Sequence, residues 1–71
     1  MIYNVSYVVL GGEHPGRMQS QDTRPRVGDR IKLGDLQVEI VEVRELMPPM
    51  GDFAYLHATC RPVRAEQEAQ P

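Results

Sequence analysis

The feature that most constrains this chain is a short turn between two stretches of alternating apolar residues. The turn is Gly34-Asp35, and it separates an apolar run at residues 31–33 from a longer one at residues 36–43. Glycine at the first position of a two-residue loop suits a type II′ turn, because that position requires a positive φ angle. The two runs are therefore predicted to form an antiparallel β-hairpin.

The same turn predicts the register of the hairpin, since a two-residue loop pairs positions symmetrically about itself. Apolar residues then share one face of the hairpin and polar residues share the other, which indicates one buried and one exposed face. Four cross-strand pairs are expected: Leu33 with Leu36, Lys32 with Gln37, Ile31 with Val38 and Arg30 with Glu39.

The second strand of the hairpin changes its alternation part-way along. Apolar residues occupy even positions as far as Ile40 and odd positions from Val41 onward. A β-bulge or sharp bend at Ile40-Val41 accounts for this slip, because one extra residue shifts the alternation by one. Such a bend lets a strand turn the corner of a small barrel.

Three further segments complete a predicted set of five strands. Residues 2–10 and residues 53–61 both alternate regularly, whereas residues 17–23 are polar and are predicted as an edge strand. Residues 11–16 hold three glycines and a proline, so they are predicted as a turn. The glycines could also offer amides to a phosphate, but such cradles usually open a helix.

The chain of 71 residues has room for one domain with a modest core. We expect an all-β (mainly β) domain over residues 1–63, built as a small five-stranded, partly open barrel or a strongly twisted antiparallel sheet. Its size is SH3-like or OB-like. Residues 64–71 are too few to hold a helix unaided and are expected to be a disordered tail.

The expected location is cytoplasmic. Cys60 is the single cysteine and cannot form an internal disulfide, whereas secreted domains of this size usually need several. The first residues include no basic leader or cleavable apolar segment, and no apolar run approaches the length that spans a bilayer. Neither export nor a membrane partner is therefore expected.

A proline-rich apolar segment is the first candidate binding site. Adjacent prolines supply no amide donors, so residues 46–51 are predicted to form a loop. Adaptable apolar side chains on a stiff loop are typical of partner-binding surfaces. The favoured alternative is that this loop folds back and fills an open end of the barrel, because a small domain needs every apolar contact. The candidate partner-binding residues are Leu46, Met47, Pro48, Pro49 and Met50.

A basic segment at residues 17–32 is the second candidate site, for a polyanion or single-stranded nucleic acid. Tyr3, Tyr7 and Tyr55 could supply stacking surfaces if their rings were exposed. Against this interpretation, the chain has a net charge of −2 and a pI near 5.5, and valines alternate with Tyr3 and Tyr7 as in a core. The candidate anion-binding residues are Arg17, Arg24, Arg26, Arg30 and Lys32.

A metal site or an enzymatic site would have to use His14, His57 and Cys60. His57 and Cys60 are three apart on a predicted strand, so they should point to opposite faces. Cys60 then shares a face with Ala54, Leu56 and Ala58 and is expected to be buried. No catalytic residue, metal ligand or cofactor is predicted.

The leading hypothesis is accordingly a non-enzymatic binding or interaction module that acts through a protein partner or through self-association. Binding of single-stranded nucleic acid or another polyanion by residues 17–32 is the alternative. A small metal-dependent or enzymatic protein that uses His14, His57 and Cys60 is the third hypothesis.

Overall fold

The computed structural model describes residues 1–11 and 14–63, so the predicted tail at residues 64–71 and part of the turn at residues 11–16 lie outside the described residues. Five strands account for most of the chain, and the described residues contain no helix and hence none that could span a membrane. The predicted all-β fold with five strands is confirmed. The strands are β1 (Ile2–Val9), β2 (Arg17–Gln21), β3 (Arg30–Leu33), β4 (Leu36–Met50) and β5 (Phe53–Pro62).

The five strands form one sheet in the order β2-β1-β5-β4-β3. The sheet is mixed, because β1 and β5 are parallel while the other three neighbouring pairs are antiparallel. The sheet curls into a half-barrel, which confirms the prediction of a small, partly open barrel. Its two edge strands, β2 and β3, are not paired with each other.

The hairpin between β3 and β4 has the predicted register at all four pairs. Gly34 has a φ of 62°, and no described residue other than glycine has a positive φ. Asp35 therefore has a negative φ, which fits a type II′ turn and excludes type I′. The turn chemistry was enough to predict the pairing because it acts over only four residues.

The phase slip in β4 is a bulge, as predicted. On the ladder with β5, Ile40 is opposite Cys60 and Glu42 is opposite Thr59, so Val41 is the extra residue. The bulge keeps apolar side chains on the inner face on both sides of it, since Val43 also packs against the core. This increases the local bend of the strand, as a curled sheet requires.

The prediction of a loop at residues 46–51 is wrong for most of its length. β4 continues through Met47-Pro48-Pro49-Met50, and only residues 51 and 52 form the turn that leads to β5. Both prolines lie within a register shift between Met47, opposite Tyr55, and Met50, opposite Phe53. An irregular ladder tolerates proline because no ladder hydrogen bond has to be donated at that position.

The expectation that this segment fills the barrel end is also wrong. Leu46, Met47 and Met50 remain 56%, 44% and 65% exposed. The inner face of the half-barrel is filled instead by side chains from β1, β3, β4 and β5. The buried cluster consists of Val5, Tyr7, Val9, Leu33, Val38, Ile40, Leu56, Ala58 and Cys60.

The connection between β2 and β3 closes part of the inner face. Pro25 is buried within it. Its last residues extend the β3 side of the sheet, since the Gly28 amide donates to the Ile40 carbonyl at 2.8 Å and the Ile40 amide donates to the Asp29 carbonyl at 2.9 Å. The connection therefore continues the contact with β4 beyond the start of β3.

Two glycines with positive φ angles provide a test of how tightly the chain packs. A Cβ atom at Gly34 (φ 62°) would meet open space, whereas one at Gly16 (φ 78°) would collide with the backbone carbonyl of Tyr7 in β1. We expect Gly34→Ala to lower the free energy of unfolding by about 1 kcal/mol, the conformational cost alone. Gly16→Ala should lower it by at least about 1 kcal/mol more, because backbone atoms must move. Urea unfolding of both variants measures the difference, and equal losses would contradict the close approach at Gly16.

Candidate functional site

A row of exposed apolar side chains crosses three strands on the outer face of the sheet. Ile2 of β1 is paired with Phe53 of β5, which in turn is paired with Met50 of β4. Paired residues point to the same face of a sheet, so the three side chains are neighbours. They are 41%, 45% and 65% exposed, respectively.

Met47 extends this row along β4. It is opposite Tyr55, which lies two residues beyond Phe53 on the same face of β5. We call Ile2, Met47, Met50 and Phe53 the apolar patch. The sequence pattern indicated the two methionines but not Ile2 or Phe53, because the proximity of Ile2 and Phe53 depends on the parallel pairing of β1 with β5.

The rest of the outer face is mostly polar. In the row after Met47 and Tyr55, Ser6 is paired with His57 and His57 with Arg44. At the β2 edge, the Ser20 hydroxyl donates to Asn4 Oδ1 at 2.6 Å. Val8 and Met18 are also exposed on this face, but each is paired with a polar residue, Thr59 and Ser6 respectively. The four residues of the patch lie together instead, and grouped exposed apolar side chains are typical of interaction surfaces.

A second feature is a cavity of about 250 Å³ between the two edge strands, β2 and β3. Its floor includes Tyr7, Leu33 and Ile40, which belong to the core. Gln19 and Gln21 line it from the β2 side, and Ile31 and Lys32 from the β3 side. The cavity thus has an apolar floor and a polar rim.

Hydrogen bonds hold the glutamine side of this rim in place. Tyr7 Oη donates to Gln21 Oε1 at 2.8 Å, and Gln19 Nε2 donates to the same oxygen at 3.1 Å. Gln21 Nε2 donates to the Thr23 carbonyl at 2.7 Å. The Gln21 amide is consequently oriented by three partners, and the sequence offered no signal for this network.

The five basic candidates are distributed over several elements. Arg17 is opposite Tyr7 on the inner-face side of β2, whereas Lys32 is opposite Gln37 on the outer face of β3. Arg24 Nη2 lies 3.9 Å from a Glu45 carboxylate oxygen. The remaining two, Arg26 and Arg30, are in the connection and in β3, and Arg30 Nε lies 3.9 Å from Glu39.

A shallow depression brings Arg24 and Arg26 together with Tyr3, as stacking on nucleic-acid bases would require. The same depression contains Asp22 and Asp29, whose carboxylates balance the two guanidinium groups. Of the other two tyrosines, Tyr7 is only 3% exposed and Tyr55 is half-buried. Tyr7 is therefore a core residue, as its alternation with the valines indicated.

The residues of the third hypothesis are not brought together. His57 lies on the outer face, where its Nε2 is 3.2 Å from Thr59 Oγ1, while Cys60 is buried on the inner face as predicted. His14 lines a separate cavity of about 410 Å³ near Leu10 and Pro62, and its Nδ1 accepts from the Gly16 amide at 3.0 Å. Among residues 1–11 and 14–63, no group of three histidines, cysteines or carboxylates could hold a metal ion.

Burial raises the pKa of the Cys60 thiol above its ordinary value of 9.0. It also raises the pKa of Tyr7 above 10.0, and the charges of ionised Cys60 and Asp29 act in the same direction. Both groups stay protonated over the neutral pH range. Cys60 is consequently a poor nucleophile in this fold and serves as a small core residue.

Comparisons of the chain with protein-family models, with curated proteins and with solved structures found no match.

The raised pKa values predict how stability depends on pH. Above about pH 9 the Cys60 thiol ionises in the unfolded chain but not in the folded one, so the unfolded state binds fewer protons and stability falls as pH rises. Tyr7 adds a similar loss above its unfolded pKa of 10.0. We expect the free energy of unfolding in urea to decline between about pH 8 and 10.5.

The variant Cys60→Ala separates the contributions of Cys60 and Tyr7 to the pH dependence of stability. It should be less stable than wild type at pH 7 because it loses buried volume. Between about pH 8 and 10 its stability should decline less than that of wild type, since of the two groups whose pKa is raised in the folded state only Tyr7 remains. Identical pH slopes for the two proteins would contradict the assignment of the decline to Cys60.

Proposed function

We propose that this chain is a small non-enzymatic interaction module that contacts a protein partner, or a second copy of itself, through the apolar patch. The observation that supports this is the row of exposed Ile2, Phe53 and Met50 across three strands. Transfer of such side chains out of water stabilises a complex by roughly 25 cal/mol for each Å² of apolar surface buried.

The chemistry of the β4 end of the patch favours contact through side chains. Pro48 and Pro49 have no backbone N–H to donate, so this part of β4 is a poor template for an added strand. Prolines also restrict the backbone, which lowers the entropy lost when the surface is ordered by a partner. The methionines beside them have flexible, polarisable side chains that fit varied apolar surfaces.

Binding of a polyanion through residues 17–32 receives less support. Arg24 and Arg30 each lie near a glutamate, and two aspartates share the depression that holds Arg24 and Arg26. A titration of fluorescent mixed-sequence oligonucleotides at low salt tests this alternative, because phosphate contacts are strongest there.

The apolar patch is tested by Met50→Glu, with Met18→Glu as its matched control. Met18 is also an exposed methionine, at 68% against 65% for Met50, but it lies on β2 away from the patch. A carboxylate in an apolar interface must be desolvated, so we expect Met50→Glu to weaken association at least about tenfold and Met18→Glu to leave it unchanged.

Two measurements cover the two kinds of partner. Sedimentation velocity over a wide range of protein concentration detects self-association, and cross-linking in cells followed by mass spectrometry detects another protein bound to the tagged chain. The proposal fails if wild type stays monomeric and the cross-linked proteins are the same for both variants. Amide dispersion in NMR spectra checks that both variants remain folded.

A further inference from the structure

We propose that the gap between β2 and β3 receives an extended acidic peptide segment of a partner protein, which pairs with the β3 edge at Lys32 and places an apolar side chain in the cavity between the two strands. This site goes beyond the proposed function, since it lies at the opening of the half-barrel and shares no residue with the apolar patch. Each proposal can fail without the other.

Among the described strands, neither border of the gap has a neighbour on the side of the gap. β2 is paired only with β1 and β3 only with β4, and both edges line the same cavity. Exposed strand edges are templates for an added strand, which binds through main-chain hydrogen bonds. The two borders are five and four residues long, so a segment of about that length fits the opening.

The direction of the backbone groups of β3 follows from the hydrogen bonds of Ile40. The amide and the carbonyl of Ile40 both bond on the β3 side, to Asp29 and Gly28. Hydrogen bonding alternates along an antiparallel pair, so Ile31 and Leu33 direct their backbone groups toward β4. Those of Lys32 then point into the gap, where an added strand can bond to them.

The cavity gives this edge a preference among side chains. An added strand alternates its side chains between the inner and outer faces. Those on the inner face would enter a space of about 250 Å³ above Tyr7, Leu33 and Ile40, which suits an apolar side chain such as valine. The hydrogen-bonded amides of Gln19 and Gln21 border that space and help to position the strand.

Charge favours an acidic segment on the outer face. On this face β3 carries Arg30 and Lys32, and neither β2 nor β3 has an acidic residue, in a chain whose net charge is −2. Asp29, which also lines the cavity, belongs to the connection before β3. Lys32 projects on the outer face opposite the uncharged Gln37, and it makes no ion pair with a described residue. A glutamate on a strand added beside Lys32 would form a cross-strand ion pair.

The probe is the peptide acetyl-Glu-Val-Glu-Val-Glu-amide, titrated into the ¹⁵N-labelled full chain and followed by NMR. We expect saturable shifts of the β2 and β3 amides, centred on Lys32. The lysine counterpart of the peptide should bind at least about tenfold more weakly, because its charges repel those of the edge strands. N-methylation of the peptide backbone should abolish binding, because strand addition depends on main-chain hydrogen bonds.

Lys32→Glu should weaken binding of the acidic peptide at least about tenfold. Arg44→Glu makes the same change of charge on the outer face of β4, next to His57 rather than the gap, and should leave binding unchanged. Both sites are exposed, and amide dispersion verifies that each variant folds.

The proposal is overturned by any of four results. The acidic peptide produces no shifts up to about 1 mM, a concentration at which even a dissociation constant of about 1 mM is detected. The shifts fall on the apolar patch instead of β2 and β3. The lysine peptide binds as well as the acidic one. The β2 and β3 amides shift with protein concentration alone, which would assign the gap to a second copy of the chain.

Discussion

Residues 1–11 and 14–63 form a single five-stranded sheet with no second layer to cover its inner face, so this fold depends on curling the sheet until its own side chains contact one another. The central strand β5 permits that curl, because three of its four buried inner-face residues, Ala54, Ala58 and Cys60, are small. Larger side chains at those positions would hold the flanking strands apart. The bulge at Val41 bends β4 in the same sense and keeps its apolar residues directed inward on both sides of the bend.

The incomplete curl explains both candidate surfaces. Because the sheet does not close, β2 and β3 face the opening with one unpaired edge each, and the core residues Tyr7, Leu33 and Ile40 form the floor of the cavity between them. Because no second layer of described residues covers it, the outer face is half-buried to exposed, and the apolar patch there is open to solvent. Both surfaces are thus consequences of a sheet too small to cover itself.

β4 is the element that separates the two surfaces. Its first residues pair with β3 and border the side that carries the cavity, whereas its last residues carry Met47 and Met50 on the outer face. The prolines between those methionines interrupt the ladder and leave no amide donors on that stretch. The exposed end of β4 is consequently suited to side-chain contacts, and the β3 edge to main-chain contacts.

The sequence alone was sufficient for features that depend on neighbouring residues. Gly34 predicted the hairpin and its four pairs, the change of alternation at Val41 predicted the bulge, and the spacing of His57 and Cys60 predicted their opposite faces. Each of these follows from the φ angle of one residue or from the two-residue period of a strand.

Only the tertiary structure decided which distant strands are neighbours. The parallel pairing of β1 with β5 places Ile2 beside Phe53, although 50 positions separate them, and no local pattern encodes that pairing. The proline segment was predicted as a loop because proline cannot donate a hydrogen bond to a regular ladder. The pairing with β5 is irregular at this point, so the two prolines are tolerated within the strand. Local sequence determines how a strand alternates and turns, whereas the neighbour it pairs with is chosen by the burial of the whole inner face.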